Sequence, residues 1–424
     1  MTQPLRQIIA QNRSGQAVAI PSICSAHPAV LEASLTLAQT LGAPLVIEAT
    51  SNQVNQDGGY TGMTPPDFIA FVTAIAQAAG VEPKSLLFGG DHLGPQAWRT
   101  LPAAAAMDKA RDLVADYARA GFGKLHLDCS EGCAGETAQL PDAVTAARSA
   151  DLAAVALRAA PNPADLLFVI GTEVPPPGGA RADEAGDIPA TTPAAAMATL
   201  AAHKLAFESA GIGAALDQIG GLVVQPGVEF SPQKVHALPL ARDPELLRAL
   251  QDWPAVCLEA HSTDYQDPAV FPRLAELGFA FQKVGPALTF AWRAALYALD
   301  QIRADLGGPH GPRLADVMEA AMLAAPGYWQ GHYHQKAGDL YDQRHFGLAD
   351  RIRYYWPAPQ AEAAVAALFA DLERVTLPDH ALLRHFAAAE VASARRSAHG
   401  LPRALALAKV QSALRPYFFL FPTT

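Results

Sequence analysis

Acidic and imidazole side chains follow short apolar runs at several points along this chain. In the clearest case, Asp91 and His92 come after the apolar run 85–88, in a segment bounded by glycine and proline. Such a run is typical of a buried strand. A carboxylate and an imidazole placed together at its end are able to hold a metal ion or to move protons. The structural alternative is an N-cap aspartate beside a surface histidine.

Other apolar runs end with similar chemistry. The ionisable residues at or beyond their ends are Glu48, Asp128, Glu131, Glu173, Glu229, His261, Asp264 and Lys283. Each has a structural alternative of its own, such as capping a helix or pairing with a loop arginine. As a set they favour an active site, because functional residues of a barrel collect at the carboxyl ends of its strands.

Two imidazoles and one carboxylate from separate strands suit a catalytic metal ion. His92, Glu229 and His261 would supply three ligands and leave one position open, the arrangement that zinc uses in catalysis. Carboxylates alone would have favoured magnesium. We therefore predict Zn²⁺ or another divalent cation on these three residues. His126 lies within a predicted strand and is interpreted as a core histidine.

Lys283 follows the last apolar run, and two functions are open to it. A Schiff-base nucleophile would need a depressed pKa. With histidines present for a metal, a contact with a phosphate, hydroxyl or carboxylate group is the favoured interpretation. Ser262, Thr263 and the Gly285 amide are predicted to bind the same part of the substrate.

The elements that must position these residues alternate regularly. From Gln16 to about residue 310, an apolar run, a polar loop and an Ala/Leu-rich helical stretch recur eight times. Eight such units predict a TIM (β/α)₈ barrel over residues 1–310. An open doubly wound sheet is the alternative, but the sequence has no glycine-rich phosphate fingerprint. Residues 311–424 predict a C-terminal helical extension packed on the barrel.

Composition restricts the possible partners. The formal net charge is −10 without any run of Lys or Arg, which argues against nucleic acid and anionic membrane surfaces. No apolar stretch approaches the roughly 18 residues of a membrane span. The four cysteines are scattered through the chain, which is typical of proteins whose thiols stay reduced. We expect a cytoplasmic homo-oligomer that acts on a small molecule.

Five ordered motifs carry a resemblance to a known family. They are Gly-Gly-Asp-His-Leu-Gly-Pro at 89–95, Gln-Pro-Gly-Val-Glu-Phe at 225–230, Glu-Ala-His-Ser-Thr-Asp-Tyr-Gln at 259–266, Lys-Val-Gly-Pro-Ala-Leu-Thr-Phe-Ala at 283–291 and Arg-Ile-Arg-Tyr-Tyr-Trp at 351–356. The chain resembles, nearly end to end, the tagatose-1,6-bisphosphate aldolase accessory (Z) subunit family. Its members are described as non-catalytic aldolase subunits, as tagatose-6-phosphate kinases, or as metal-dependent ketohexose or ketohexose-phosphate 4-epimerases.

The sequence is more distantly similar to class II fructose-bisphosphate aldolases, which are zinc barrels. That resemblance implies that His92 is a metal ligand, that Asp91 transfers protons and that His261 is a ligand from a later strand. Where those aldolases have a further histidine ligand, this chain offers Glu229.

These observations lead to one favoured function and two alternatives. The favoured function is a metal-dependent 4-epimerase of a ketohexose or its phosphate, in which Asp91 and Asp128 exchange the C4 hydroxyl proton by retro-aldol chemistry. Glu173 or Glu48 would orient substrate hydroxyls. The first alternative is a non-catalytic partner of a class II aldolase catalytic subunit. A tagatose-6-phosphate kinase is disfavoured, because the sequence shows no phosphate cradle for a nucleotide.

Overall fold

A closed barrel of parallel strands forms the centre of the protein. The computed structural model describes residues 2–171, 188–307, 311–335 and 338–421. The strands in these residues are β1 (Ile20–Cys24), β2 (Val46–Thr50), β3 (Leu87–Leu93), β4 (Lys124–Leu127), β5 (Leu167–Ile170), β6 (Ile219–Val223), β7 (Glu229–Phe230), β8 (Val235–His236), β9 (Cys257–Ala260) and β10 (Phe279–Val284). The barrel order is β1-β10-β9-β6-β5-β4-β3-β2, which confirms the predicted TIM barrel.

Helices cover the outside of the barrel and continue beyond it. In the first part of the chain they are α1 (Gln3–Arg13), α2 (Pro28–Leu41), α3 (Pro65–Ala78), α4 (Ala103–Ala120), α5 (Asp142–Ala159), α6 (Pro193–Ser209), α7 (Val270–Glu276) and α8 (Pro286–Asp305). Those that follow are α9 (Leu314–Ala324), α10 (Leu340–Phe346), α11 (Pro359–Glu373), α12 (Asp379–Leu382), α13 (Ala388–Ala394) and α14 (Leu401–Leu414). None of these helices is long and apolar enough to cross a membrane.

Strand alternation separates the outer apolar core from a charged interior. In β4, Leu125 and Leu127 belong to the large apolar core beneath the helices, whereas Lys124 forms ion pairs and His126 Nδ1 contacts Asp91. Successive residues of a strand point to opposite faces, so the second pair faces the barrel interior. The upper part of the interior is therefore built from ionisable side chains.

Helix α1 closes the opposite end of the barrel. Its Leu5 and Ile9 pack in one apolar cluster with Ile20, Val169 and Phe281 from the barrel interior. Arg6 donates to the Leu166 carbonyl at 3.1 Å, which fixes the helix to the rim. The apolar face of α1 is short, and this helix was not predicted from the sequence.

The sixth strand ends earlier than its apolar run suggested. An apolar run in the sequence continues from Gly221 to Phe230, but β6 ends at Val223. The extended conformation is interrupted at Pro226 and at Gly227, whose φ is 100°. Glu229 consequently lies in the β7–β8 hairpin and not in a barrel strand. The cause is local, since proline cannot donate a ladder hydrogen bond and a positive φ interrupts the strand.

The C-terminal helices lie against the barrel helices. Helix α14 packs on α8 and α2, and Arg403 pairs with Glu32 across this contact. Gln411 adds a hydrogen bond of 3.0 Å to the Thr36 hydroxyl. The predicted boundary near residue 310 falls at residues 308–310, outside the described part of the chain, so the division into 1–310 and 311–424 stays a prediction.

Candidate active site

Asp91 and His92 both line the pocket at the carboxyl end of the barrel, although they are neighbours in β3. A regular strand would direct them to opposite faces. Here His92 has a left-handed φ of 47°, and the pairing of β3 with β4 shifts register between Gly90 and Leu93. Asp91 and His92 were predicted to follow the strand, but they lie within β3, and an irregularity of the strand turns His92 inward.

Gly94 allows the end of β3 to approach β4 closely. A Cβ atom at this position would lie 1.7 Å from the Asp128 carbonyl oxygen, so no other residue fits without moving the backbone. The Asp128 amide donates to the Leu93 carbonyl at 3.0 Å. This approach brings the Asp128 side chain to His92.

Three imidazoles form a nearly equilateral triangle, and two of them, His92 and His261, line the pocket. The ring centroids of His92 and His126 are 5.1 Å apart, those of His92 and His261 are 5.2 Å apart, and those of His126 and His261 are 5.1 Å apart. All three residues are at least 96% buried. His92 and His261 thus meet as expected, and the third corner is His126.

Each imidazole is held by a carboxylate through one ring nitrogen. Asp128 Oδ2 lies 2.7 Å from His92 Nδ1 and Asp91 Oδ1 lies 2.9 Å from His126 Nδ1. Glu259 Oε1 lies 2.9 Å from His261 Nε2. An ionised carboxylate accepts, so His92 Nδ1 and His261 Nε2 donate, and in the neutral rings their opposite nitrogens keep lone pairs. His126 Nδ1 also accepts a hydrogen bond of 3.2 Å from the His92 backbone amide. Carboxylate–histidine pairs of this kind orient metal ligands.

Two lysines and two glutamates lie beneath the histidines. Lys124 Nζ is 2.6 Å from Glu48 Oε1 and 2.6 Å from Glu259 Oε2, and all three side chains are fully buried. Lys283 Nζ is 3.1 Å from both glutamates and also contacts Asp91. Glu48 therefore joins the two lysines, and its predicted role in orienting substrate hydroxyls stays a prediction.

Burial and neighbouring charges set the protonation states. Burial, with Lys283 nearby, lowers the pKa of His261 to about 3 and also lowers the pKa of His126. For His92 the opposing carboxylates Asp91 and Asp128 outweigh burial and raise the pKa. Burial would raise the pKa of Asp91, but His92 and Lys283 hold it well below its usual range.

Lys283 has the wrong electrostatic environment for a Schiff-base nucleophile. Burial favours its neutral amine, but Asp91, Glu259 and Glu48 raise its pKa well above the ordinary value. A Schiff-base lysine needs the opposite shift. The side chain is consequently an ammonium group held by carboxylates.

Groups of potential metal ligands lie within this cluster. Their ligand atoms are within 4.8 Å of one another in three sets, Asp91-His92-His261, His126-Glu259-His261 and Cys24-Glu48-Asp91. Glu229 is absent from these sets among the described residues. It lies in the β7–β8 hairpin and not in a strand of the barrel. Glu173 lies outside the described residues. Their predicted roles remain untested.

The residues predicted to bind an anion differ in whether they face the pocket or bind other protein groups. Ser262 lines the pocket with a left-handed φ of 52°. The Thr263 hydroxyl donates to the Lys283 carbonyl at 2.6 Å, and the Gly285 amide donates to Asp264 at 3.1 Å. Burial raises the pKa of Asp264 to about 6.

The helical extension completes the mouth of the site. Arg353 and Tyr354 line the polar pocket of about 90 Å³ together with His92 and His261. A larger, mainly apolar compartment of about 510 Å³ adjoins it and shares Cys24, Gln53, Tyr60, Gly285 and Arg353. The extension is thus part of the site and not only a cover for the barrel.

Three residues of the site, Lys124, Glu259 and Arg353, are not among the predicted site residues, and His126 was interpreted as a core histidine. The period of two in the strands identifies three of these four. Lys124, His126 and Asp128 are spaced by two, as are Glu259 and His261, so each series faces the barrel interior. Arg353 lies in the motif at 351–356, but no periodicity places it at the site.

Comparisons with known proteins agree with the motifs. The model of the D-tagatose-1,6-bisphosphate aldolase subunit GatZ/KbaZ-like family matches residues 5–420. A D-tagatose 6-phosphate 4-epimerase from Agrobacterium fabrum is 47% identical over 392 residues, which cover 91% of each chain. A crystal structure of a "probable tagatose 6 phosphate kinase" from Sinorhizobium meliloti is 47% identical, with a TM-score of 0.85 over 95% of this chain and 99% of that one. The chain therefore belongs to the D-tagatose-1,6-bisphosphate aldolase subunit GatZ/KbaZ-like family.

Proposed function

We propose that this protein is a divalent-metal-dependent 4-epimerase that interconverts the 6-phosphates of tagatose and fructose. The observation that carries the proposal is the triangle of His92, His126 and His261, each supported by a carboxylate. The Agrobacterium relative, named as a D-tagatose 6-phosphate 4-epimerase, supports the substrate and the reaction.

The donor set fits a divalent cation. The Nε2 atom of His126 is buried and has no hydrogen-bond partner among the described residues. The surrounding cluster holds four carboxylates and two lysines, which are Asp91, Asp128, Glu48, Glu259, Lys124 and Lys283. With neutral imidazoles this cluster carries excess negative charge, which is costly in a barrel interior unless it is balanced. A divalent ion bound among these imidazoles, Zn²⁺ in our proposal, would balance it. His261 belongs to one close set of potential ligands with His92 and to another with His126.

The position of C4 requires bond cleavage and not simple enolisation, because C4 is not adjacent to the C2 carbonyl. A bound divalent cation would polarise the carbonyl and stabilise the negative charge that develops when C3–C4 breaks. In the forward direction the C4 hydroxyl loses its proton, C4 becomes an aldehyde carbon, and the bonding electron pair passes to C3. Rotation of the aldehyde and reformation of the bond return the proton to the oxygen at C4 with inverted configuration.

Asp91 is the side chain that we assign to this proton. It lines the pocket beside His92, and Lys283 and His126 keep it ionised and able to accept. Asp128 was predicted to share the task, but its contacts with His92 and with the Ser130 hydroxyl at 2.6 Å support a positioning role instead. Lys283 remains charged and stabilises the carboxylates around the reacting carbons.

Metal content and turnover by the purified protein test this function. The protein would be stripped with a chelator, reloaded with Zn²⁺, and incubated with tagatose 6-phosphate while NMR follows the appearance of fructose 6-phosphate. We expect interconversion by the reloaded protein and little by the stripped one. Absence of interconversion by fully loaded protein would refute the proposal.

The accessory-subunit alternative retains support from the family description, which names an aldolase subunit. It is tested in the same experiment by adding a class II tagatose-1,6-bisphosphate aldolase catalytic subunit. If only aldolase stability or activity changes, the protein is an accessory subunit. A parallel sample with ATP tests phosphorylation of tagatose 6-phosphate.

A further inference from the structure

Arg353 presents a fixed guanidinium at the mouth of the site. It lies in the 3₁₀ segment Arg351–Tyr355 of the extension and lines both the polar pocket and the adjoining compartment. It donates to the Asp350 carbonyl at 3.1 Å and to the Tyr354 hydroxyl at 2.9 Å, and it also contacts the Ala349 carbonyl. The Tyr354 ring centroid is 4.5 Å away, which further restricts the group.

Among the described residues, Arg353 has no close carboxylate partner, and Asp350 and Asp264 act on its charge only at longer range. No carboxylate lies within 4.0 Å of it in the ranges that the structure describes. The other cations of the two compartments differ, since Lys283 contacts three carboxylates and Arg403 pairs with Glu32. A partly buried guanidinium without a counter-ion is suited to an anionic ligand, and its planar donors match a phosphate group.

The position of Arg353 suits the non-reacting end of a substrate. His92 and His261 line the polar pocket, whereas Arg353 lines both this pocket and the larger compartment. Two of the other expected anion donors are engaged internally, since the Gly285 amide binds Asp264 and the Thr263 hydroxyl binds a carbonyl, while Ser262 lines the polar pocket. An extended sugar phosphate with its reacting carbons above the imidazoles would direct its phosphate toward Arg353.

We propose that Arg353 binds the phosphate group of the substrate and thereby selects phosphorylated over free ketohexoses. This inference rests on the proposed function, since it concerns the same site. Selection would depend on the extension, while the bond chemistry depends on the barrel. Arg353 would then be a specificity residue that makes no contact with the reacting carbons.

Two substitutions and one matched control test the assignment. In Arg353→Met the KM for tagatose 6-phosphate should rise about ten- to a hundredfold, the worth of a charged hydrogen-bond pair. Turnover of free tagatose should change less than about threefold, because that substrate has no group for Arg353 to bind. Arg353→Lys should recover part of the preference. Arg403→Met, which removes the neutralised cation of the adjoining compartment, should leave the preference unchanged.

Equilibrium binding separates this inference from the proposed function. Calorimetry with fructose 6-phosphate and with fructose requires no turnover, and the wild-type protein should bind the phosphate ester more tightly. Inorganic phosphate should compete with fructose 6-phosphate, a measurement that needs no variant and remains informative if Arg353→Met does not fold. Equal affinity of wild type and folded Arg353→Met for fructose 6-phosphate would overturn the assignment, as would equal losses with phosphorylated and free sugar. Tight binding without epimerisation would refute the proposed function alone.

Discussion

His126 Nδ1 lies 2.9 Å from Asp91 Oδ1, so the residue that precedes His92 in sequence supports a second imidazole of the triangle. A single strand end thereby orients two of the three histidines. The functional importance of His126 follows from this contact and from its unpartnered Nε2 atom.

Replacing His126 should reduce metal binding more than replacing Glu229. We expect His126→Gln to lower the affinity for Zn²⁺ by at least about tenfold, the smallest effect usual for residues that support a metal site. Glu229→Gln is the matched comparison, because Glu229 was the ligand predicted from sequence and lies in the hairpin. Metal content after dialysis against a zinc buffer measures both. Loss of zinc in Glu229→Gln with full retention in His126→Gln would reverse the assignment.

Asp128→Asn should impair the site without changing its shape. The asparagine is isosteric but uncharged, so the His92 ring loses the carboxylate that fixes its Nδ1 proton. Metal affinity or kcat should fall by about 10- to 100-fold. Ser130→Ala removes only the hydroxyl that bonds Asp128 and should have a smaller effect. Comparable values of kcat, KM and metal affinity for Asp128→Asn and wild type would exclude the positioning role.

Lys124→Met should destabilise the barrel. The substitution leaves Glu48 and Glu259 buried, each without its 2.6 Å contact to Lys124, and breaking a buried pair costs about 3–5 kcal/mol. Urea unfolding followed by circular dichroism measures the change. Lys109→Met is the control, since the Lys109–Asp57 pair is exposed and should contribute less than about 1 kcal/mol. Equal stability losses in the two variants would contradict this account.

His203 should make the protein less stable in mild acid. Burial lowers its folded-state pKa from 6.5 to about 4, although its Nδ1 hydrogen bond to the Thr199 carbonyl and the more distant Asp142 act in the opposite direction. Between these pH values the unfolded state binds the proton and the folded state does not. The contribution of neutral His203 to the free energy of unfolding is therefore fully present above pH 6.5. It is lost as the pH falls toward 4, by about 3 kcal/mol.

The variant His203→Gln tests that pH dependence. Its free energy of unfolding should decline less than that of the wild type between pH 6.5 and 4, while the difference between the two proteins stays constant above pH 7. Denaturant titrations at several pH values provide the measurement. Parallel curves over the acid range would show that His203 does not titrate as described.

Periodicity was sufficient to predict the barrel and most of its helices. The apolar runs reflect burial on both faces of each strand. An Ala/Leu-rich helical stretch follows each run, and one of these stretches forms α5 at Asp142–Ala159. The sixth unit deviated because Pro226 and Gly227 interrupt an otherwise apolar run. Helix α1 was missed because it buries its short apolar face in the barrel and not in a repeating layer.

The candidate site was predicted in part, for a geometric reason. Sequence position identifies the end of a strand, and this was enough to select His92 and His261. It does not identify which residues inside a strand face the barrel axis unless the alternation is counted, so Glu259 was not predicted and His126 was interpreted as a core histidine. The pocket contribution of Arg353 depends on how a distant segment folds back, which no local pattern encodes.

Lys283 meets Asp91 across 192 residues of sequence, and this contact joins the last barrel strand to the third. Before the strands assemble, the carboxylates of β2, β3 and β9 lie far from this cation. Barrel closure brings them together, so closure and neutralisation by Lys283 are coupled, and non-local pairing of this kind is slow. A barrel in which β10 has not paired would leave Glu48, Asp91 and Glu259 without this ammonium group.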